Sequence, residues 1–201
     1  MCALQDVTHS ININHKGEKE SNACGVCRNF FLKRVSLNLH MRCHYGGGRP
    51  LIFGDSHVTK MERLDMSGQF VYYGVSGLKI ANWKEHVGAF SDATAVIIQL
   101  GGNDVTVRPW KVEDPDFMRQ TVQNYKDLME ELKKQRKQAF IIPCLERTTL
   151  RQRVRGLNQR LEKRFRACYL QLNSAWELHD GTHLKNDEYR KLNELLKGMF
   201  I

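Results

Sequence analysis

The chain has 201 residues, of which 41% are hydrophobic, with six cysteines, eight histidines and a formal net charge of +9. This length suits one ordinary domain, or a compact domain with a small module, and the apolar content excludes disorder of the whole chain. No apolar stretch approaches the ~20 residues that cross a bilayer, and the first residues lack a basic region followed by an apolar one. An intracellular setting, in cytoplasm or nucleus, is therefore expected, with cysteines acting as thiols or metal ligands.

The charge is concentrated in two places. Residues 1–49 carry seven Lys/Arg against three Asp/Glu, and residues 133–166 carry twelve against two. The remainder of the chain is net acidic. Two local basic features point to an acidic partner more than a uniformly basic surface would.

Residues 1–23 show no periodicity and are expected to be a disordered tail. The motif Cys24-x2-Cys27-x12-His40-x3-His44 follows. Two thiolates on a knuckle and two imidazoles one helical turn apart can close a tetrahedral zinc site. Residues 24–44 resemble the Cys2His2 zinc-finger family, which implies a ββα finger folded by structural Zn2+, with Phe31 and Leu37 at the two positions of the family's miniature core. At the positions the family uses to read bases stand Lys33, Val35, Ser36 and Leu39. Val35 and Leu39 cannot make bidentate base contacts. The finger is expected to meet a protein partner, or a nucleic acid without regard to sequence through Lys33, Arg34 and Arg42.

Residues 45–50, Tyr-Gly-Gly-Gly-Arg-Pro, read as a flexible linker. Beyond it, five short apolar runs stand at 51–54, 69–73, 95–100, 139–143 and 167–172. Helical patterns stand at 80–86, 114–137, 156–166 and 186–199. In the second of these, Phe117, Val122, Tyr125, Leu128, Met129 and Leu132 recur mostly at 3–4-residue spacing. Five strands separated by helices read as a parallel sheet covered on both faces.

Four short motifs decorate this pattern. Gly54-Asp55-Ser56 follows the first strand, Gly74-Val-Ser-Gly77 the second and Gly101-Gly-Asn103-Asp104 the third. Asp180-Gly-Thr-His183 precedes the last helix. In open parallel sheets, sites form beyond the carboxyl ends of the strands, so these motifs can converge. Together they resemble the SGNH (GDSL-type) hydrolase family over residues 51–201. The resemblance implies an α/β, three-layer, flavodoxin-like fold with a five-stranded parallel sheet. It implies Ser56 as nucleophile, His183 as its base and Asp180 as the group orienting His183. The backbone N–H groups of Ser56 and Gly77 and the Asn103 amide would hold the oxyanion. No catalytic cofactor is implied.

His57 replaces the Leu of the GDSL pattern; a surface or capping role is expected for it, with crowding or tuning of the pocket as the alternative. Asp55 and Asp104 are expected to tie down their loops. Trp83, Cys144 and Cys168 are expected in the core, while Trp110 follows the Asn103 loop and is a candidate pocket wall. The short Ser56–Gly77 segment implies a shallow site suited to small acyl groups such as acetyl. Arg147, Arg151, Arg153 and Arg155 form a candidate polyanion-binding band beside that site. Two functions stay open. One is a serine esterase acting on an acyl-ester substrate and targeted by the finger. The other is a nucleic-acid-associated protein that uses the hydrolase fold as a platform, as the accessory proteins of some retrotransposons do.

Overall fold

The computed structural model describes residues 48–106, 115–172 and 176–200. The Cys24, Cys27, His40 and His44 set, its finger, the preceding tail and Trp110 lie outside the described residues.

Four strands, β1 (Leu51–Gly54), β2 (Val71–Gly74), β3 (Ala95–Gln99) and β4 (Gln138–Ile141), form a parallel sheet in the order β2-β1-β3-β4. Leu51 lies level with Val71 on one side and Val96 on the other, and Ala95 lies level with Gln138. Every residue of β1 and β3 is buried, as expected of central strands covered on both faces. Strand β2 forms an edge, and its Val71 and Tyr73 are exposed.

The helices are α1 (Ser56–Leu64), α2 (Pro115–Lys134), α3 (Arg151–Phe165) and α4 (Asn186–Phe200). A 3-10 segment, Ile80–Phe90, stands where an α-helix over 80–86 is expected. Successive strand residues point to opposite faces, so the sheet builds two cores. Phe53, Val96 and Ile98 pack with Trp83, Phe90, Tyr125, Leu128, Leu157 and Leu161 on one face. Ile52 and Ile97 pack with Val58, Met61, Tyr189, Leu192 and Leu196 on the other. The 3-10 segment, α2 and α3 thus form one layer, and α1 with α4 the other.

The expected fifth strand is not one. Residues 167–172 touch the β4 edge through a single parallel bridge, Ile141 with Tyr169. Ile141 donates to Cys168 O and accepts from Leu170 N, both at 2.8 Å. A turn closes α3 just before, with Cys168 N on Phe165 O, so the chain reaches the edge for only one residue. The Gln171 side chain then reaches back to Glu162 on α3. The described sheet therefore has four strands.

Residues 48–50, the end of the expected linker, are bound to the domain. Gly48 O accepts from Thr94 Oγ1, Arg49 O from Thr94 N and Pro50 O from Val71 N. Among the described residues no helix is long and apolar enough to cross a membrane.

Candidate active site

The strand order reverses between β1 and β3, and the crevice for a ligand opens beyond their carboxyl ends. Ser56 stands there as the first residue of α1, directly after β1. Asp55 caps that helix by accepting from the His57 amide at 3.0 Å. The turn places the Ser56 hydroxyl at the helix N-terminus, where backbone N–H groups have no intrahelical partner.

His183 comes from the loop before α4. Its Nε2 lies 3.1 Å from Ser56 Oγ, and its Nδ1 lies 2.8 Å from Asp180 Oδ2. The second Asp180 oxygen accepts from the His183 amide at 2.7 Å and from the Thr182 amide at 3.0 Å. These bonds hold the Asp180 carboxyl well below the usual carboxylate range. An ionised carboxylate only accepts, so the proton sits on His183 Nδ1 and the lone pair of Nε2 faces Ser56. The structure thus brings Ser56, His183 and Asp180 together, with Asp180 at 46% side-chain exposure and His183 at 22%.

The remaining loops are tied to one another. Val75–Leu78 is a turn closed by Leu78 N on Val75 O, and Gly77 has φ 77°. Positive φ at the third residue is what a type II turn demands and what glycine adopts without strain. Asn103 Nδ2 donates to Leu78 O at 3.1 Å and to Asp55 Oδ2 at 3.3 Å. Asp104 accepts from the Ile80 amide with both oxygens, at 3.2 and 3.1 Å. Asn103 and Asp104 therefore bolt the Gly77 loop to the end of β3, and Asp55 and Asp104 bond backbone and loop groups as expected of them.

Arg147, His57 and Tyr189 join the site in roles the sequence reading did not assign them. Arg147, expected in a polyanion-binding band beside the site, is 6% exposed. It lies in the loop after β4, just before α3, and its Nη2 donates to Asn103 Oδ1 at 3.2 Å. A Cβ on Gly102 would stand 2.6 Å from that Nη2, so the guanidinium lies against bare backbone. Its Nε is buried with no hydrogen-bond partner. The other three arginines of the band fall on α3. Arg151 and Arg155 pair with Glu146 at 3.1 and 2.7 Å, and Arg153 Nη1 lies 3.5 Å from Val105 O.

His57 is 1% exposed, not a surface residue. Its ring lies 5.2 Å from that of His183, and its Nδ1 lies 2.6 Å from the Tyr189 hydroxyl. Burial raises the Tyr189 hydroxyl above its ordinary value, opposed by the Leu184 amide. The pair thus pins the backbone directly after His183. No signal in one sequence links residues 57 and 189, because the contact is purely tertiary. Burial above all, then the nearby His183 and Arg147, push His57 down to about 3. Burial pushes Asp55 up to about 6, opposed by the His57 amide and by the Arg147 charge. Burial also raises Asp104.

Arranged this way, the site can transfer a proton from a hydroxyl to an imidazole and present a helix N-terminus and a glycine turn to developing negative charge. Among the described residues, no group of three or more His, Cys, Asp or Glu could hold a metal ion.

No family model matches the chain, and no curated protein matches it. Solved structures do. A GDSL-like lipase from Bacteroides thetaiotaomicron superposes with TM-score 0.60 and 18% identity, over 76% of this chain and 87% of that one. A member of the lipolytic G-D-S-L family from Veillonella parvula gives 0.57 and 15%, over 76% and 97%. A catalytic mutant of an acetylxylan esterase from Geobacillus stearothermophilus gives 0.51 and 16%, over 77% and 94%. The described domain has the α/β fold of GDSL-type acylhydrolases, with a four-stranded parallel sheet.

Proposed function

We propose that the domain is a serine esterase of the SGNH type acting on short acyl esters. The observation that carries this reading is the continuous chain from Ser56 Oγ through His183 to Asp180, at 3.1 and 2.8 Å. Its neighbours in fold include a lipase and an acetylxylan esterase, which supports the same reaction class.

In this reading the Ser56 hydroxyl proton passes to His183 Nε2 as Oγ attacks the ester carbonyl carbon. The carbonyl oxygen becomes an oxyanion, met by the N–H groups of Ser56 and Gly77 and by the Asn103 amide. His183 then gives its proton to the leaving alcohol, and an acyl group remains on Ser56. Water, deprotonated by His183, hydrolyses that acyl-enzyme and restores the hydroxyl. At rest both Asn103 N–H groups are engaged, by Leu78 O and by Asp55. One must swing to the oxyanion, and the longer bond to Asp55 is the easier to surrender. Arg147 acts here as a positioning residue. It fixes Asn103 Oδ1 and, by drawing electron density toward it, makes the opposite amide hydrogens better donors.

Short acyl groups fit because the site is open. His183 and Asp180 are partly exposed, and among the described residues nothing lies within 4 Å of a Cβ placed on Gly77. A series of p-nitrophenyl esters from acetate to palmitate tests this. Activity greatest at acetate or butyrate and abolished in Ser56→Ala supports the reading. A maximum at long chains overturns the acyl preference, and unchanged activity in Ser56→Ala overturns the mechanism.

A further inference from the structure

Arg147 has more donors than its neighbours use. Its Nη2 serves Asn103 Oδ1, and its Nε is sealed from solvent without a partner. Its Nη1 bonds to nothing among the described residues and, unlike Nε, is not sealed off. Among the described residues Arg147 is also the only lysine or arginine that is buried, at 6% exposure. Surface cations, paired or not, are solvated by water; a buried one needs its compensation from protein or ligand.

The protein supplies little of that compensation. Among the described residues no carboxylate forms an ion pair with Arg147. Burial dominates the shifts of Asp55 and His57, and the Arg147 charge lowers both. Asn103, however, stands between Arg147 and Asp55, bonded to each. The cation is also held firmly. Its guanidinium lies on the bare backbone of Gly102, and the next residue, Thr148, donates its amide to Gly181 O at 2.8 Å. Gly181 belongs to the Asp180–His183 loop. A charge fixed beside the nucleophile, short of a counter-charge and with one nitrogen unused, suits an anionic ligand.

We propose that Arg147 Nη1 selects the substrate, an acyl ester whose alcohol part carries a carboxylate, and binds one oxygen of that carboxylate. This rests on the esterase reading and names its substrate class. The loops at the carboxyl end of the sheet follow the strand order, with Gly77 after β2, Ser56 after β1, Asn103 after β3 and Arg147 after β4. In that reading Gly77, Ser56 and Asn103 take the reacting carbonyl, so Arg147 meets what extends past it on the β4 side. The leaving alcohol oxygen must lie at His183, and the loop carrying His183 is the one bonded to the Arg147 loop through Thr148 and Gly181. A short acyl group such as acetyl ends before it could bear a second charged group. With Nη2 committed and Nε sealed, one nitrogen is left. That is enough for a carboxylate oxygen but not for the forked grip that arginine gives a phosphate.

The test compares two esters with the same acetyl group and a nitrophenolate leaving group, p-nitrophenyl acetate and 5-acetoxy-2-nitrobenzoate, on the full-length protein. The second adds a carboxylate to the alcohol part. Wild type should show a KM for it lower by about tenfold or more, the effect of one charge-assisted hydrogen bond. Arg147→Gln should lose this KM difference. Asn103→Ala should lose turnover on both esters and keep the difference, which separates binding of the carboxylate from positioning of Asn103. Should Arg147→Gln not fold, Arg147→Lys must still shrink the difference severalfold, with KM for p-nitrophenyl acetate unmoved. Equal KM for the two esters in wild type overturns the proposal, as does a difference that survives in the Arg147 variants. Preference instead for a carboxylate on the acyl part, as mono-p-nitrophenyl succinate over p-nitrophenyl butyrate, overturns it too. Failure of the esterase reading shows separately, as p-nitrophenyl acetate hydrolysis that persists in Ser56→Ala.

Discussion

Arg147 Nη2 donates to Asn103 Oδ1 across the bare backbone of Gly102, at 3.2 Å. The bond joins the loop after β4 to the loop after β3 and fixes which way the Asn103 amide faces. With Oδ1 held by a cation, Nδ2 must point toward Leu78 O and Asp55, and hence toward the Gly77 turn and the Ser56 helix end. In the proposed mechanism Asn103 is an oxyanion donor, and removing such a donor costs roughly 10²–10³-fold in kcat. Asn103→Ala should fall in that range. Arg147→Lys, which keeps the charge but loses the planar fork, should lower kcat by about tenfold with KM unchanged. In the Asn103→Ala background the same change should cost almost nothing, because both substitutions then disable one device. Additive losses in the double variant would mean that Arg147 does not act through Asn103.

The two buried titrating groups beside Ser56 oppose each other in their effect on stability. His57 drops from its ordinary value of 6.5 to about 3, so between these pH values only the unfolded chain holds its proton. Acid therefore favours unfolding through His57. Asp55 rises from 3.8 to about 6, so between these only the folded chain holds its proton. Acid favours folding through Asp55, and from about pH 6 down to about pH 4 the two contributions cancel. His57→Leu deletes one of them. The stability of the variant relative to wild type should rise by about 1.4 kcal/mol for each unit of acidification through that window. Urea midpoints at pH 7, 6, 5 and 4 measure this. Parallel curves for variant and wild type would contradict it.

Asp180 differs from the buried aspartate of a protease triad in being nearly half exposed. Where that aspartate is buried, changing it to Asn costs about 10⁴-fold. Here water can replace part of the lost support at His183 Nδ1. Asp180→Ala should therefore keep more activity than Ser56→Ala or His183→Ala, by about tenfold or more, in p-nitrophenyl acetate hydrolysis. Equal losses in all three would give Asp180 the full weight of a buried triad member.

Much of this site was legible because it is built from local words. Asp180 and His183 are three residues apart and meet within one loop; Ser56, Gly77 and Asn103 each lie within a few residues of a strand's carboxyl end. Continuous apolar runs marked β1 and β3, since strands covered on both faces need no alternation. The failures are tertiary. The run at 167–172 has strand composition, yet the turn ending α3 delivers only Tyr169 to the β4 edge. His57 is polar and reads as surface, but Tyr189 supplies a buried partner 132 residues away. Arg147 reads as one more charge in a basic run, and only its burial against Gly102 separates it from its neighbours.

Zinc and hydrolysis should be separable. Cys24, Cys27, His40 and His44 are proposed to hold one Zn2+, and the described domain offers no cluster that could hold a metal. Purified full-length protein should carry one zinc per chain by elemental analysis, lost in Cys24→Ser/Cys27→Ser. Chelation should leave p-nitrophenyl acetate turnover unchanged. Parallel loss of zinc and turnover would tie the metal to the reaction.

The central claim is that Ser56 is a nucleophile activated by His183. Labelling the folded, full-length protein with a fluorophosphonate probe, followed by peptide mass spectrometry, tests it most directly. The account predicts a single adduct on Ser56, absent in Ser56→Ala and formed at least 100-fold more slowly in His183→Ala, consistent with loss of general-base assistance. An adduct at another residue, or labelling of folded Ser56→Ala at the wild-type rate, would contradict it.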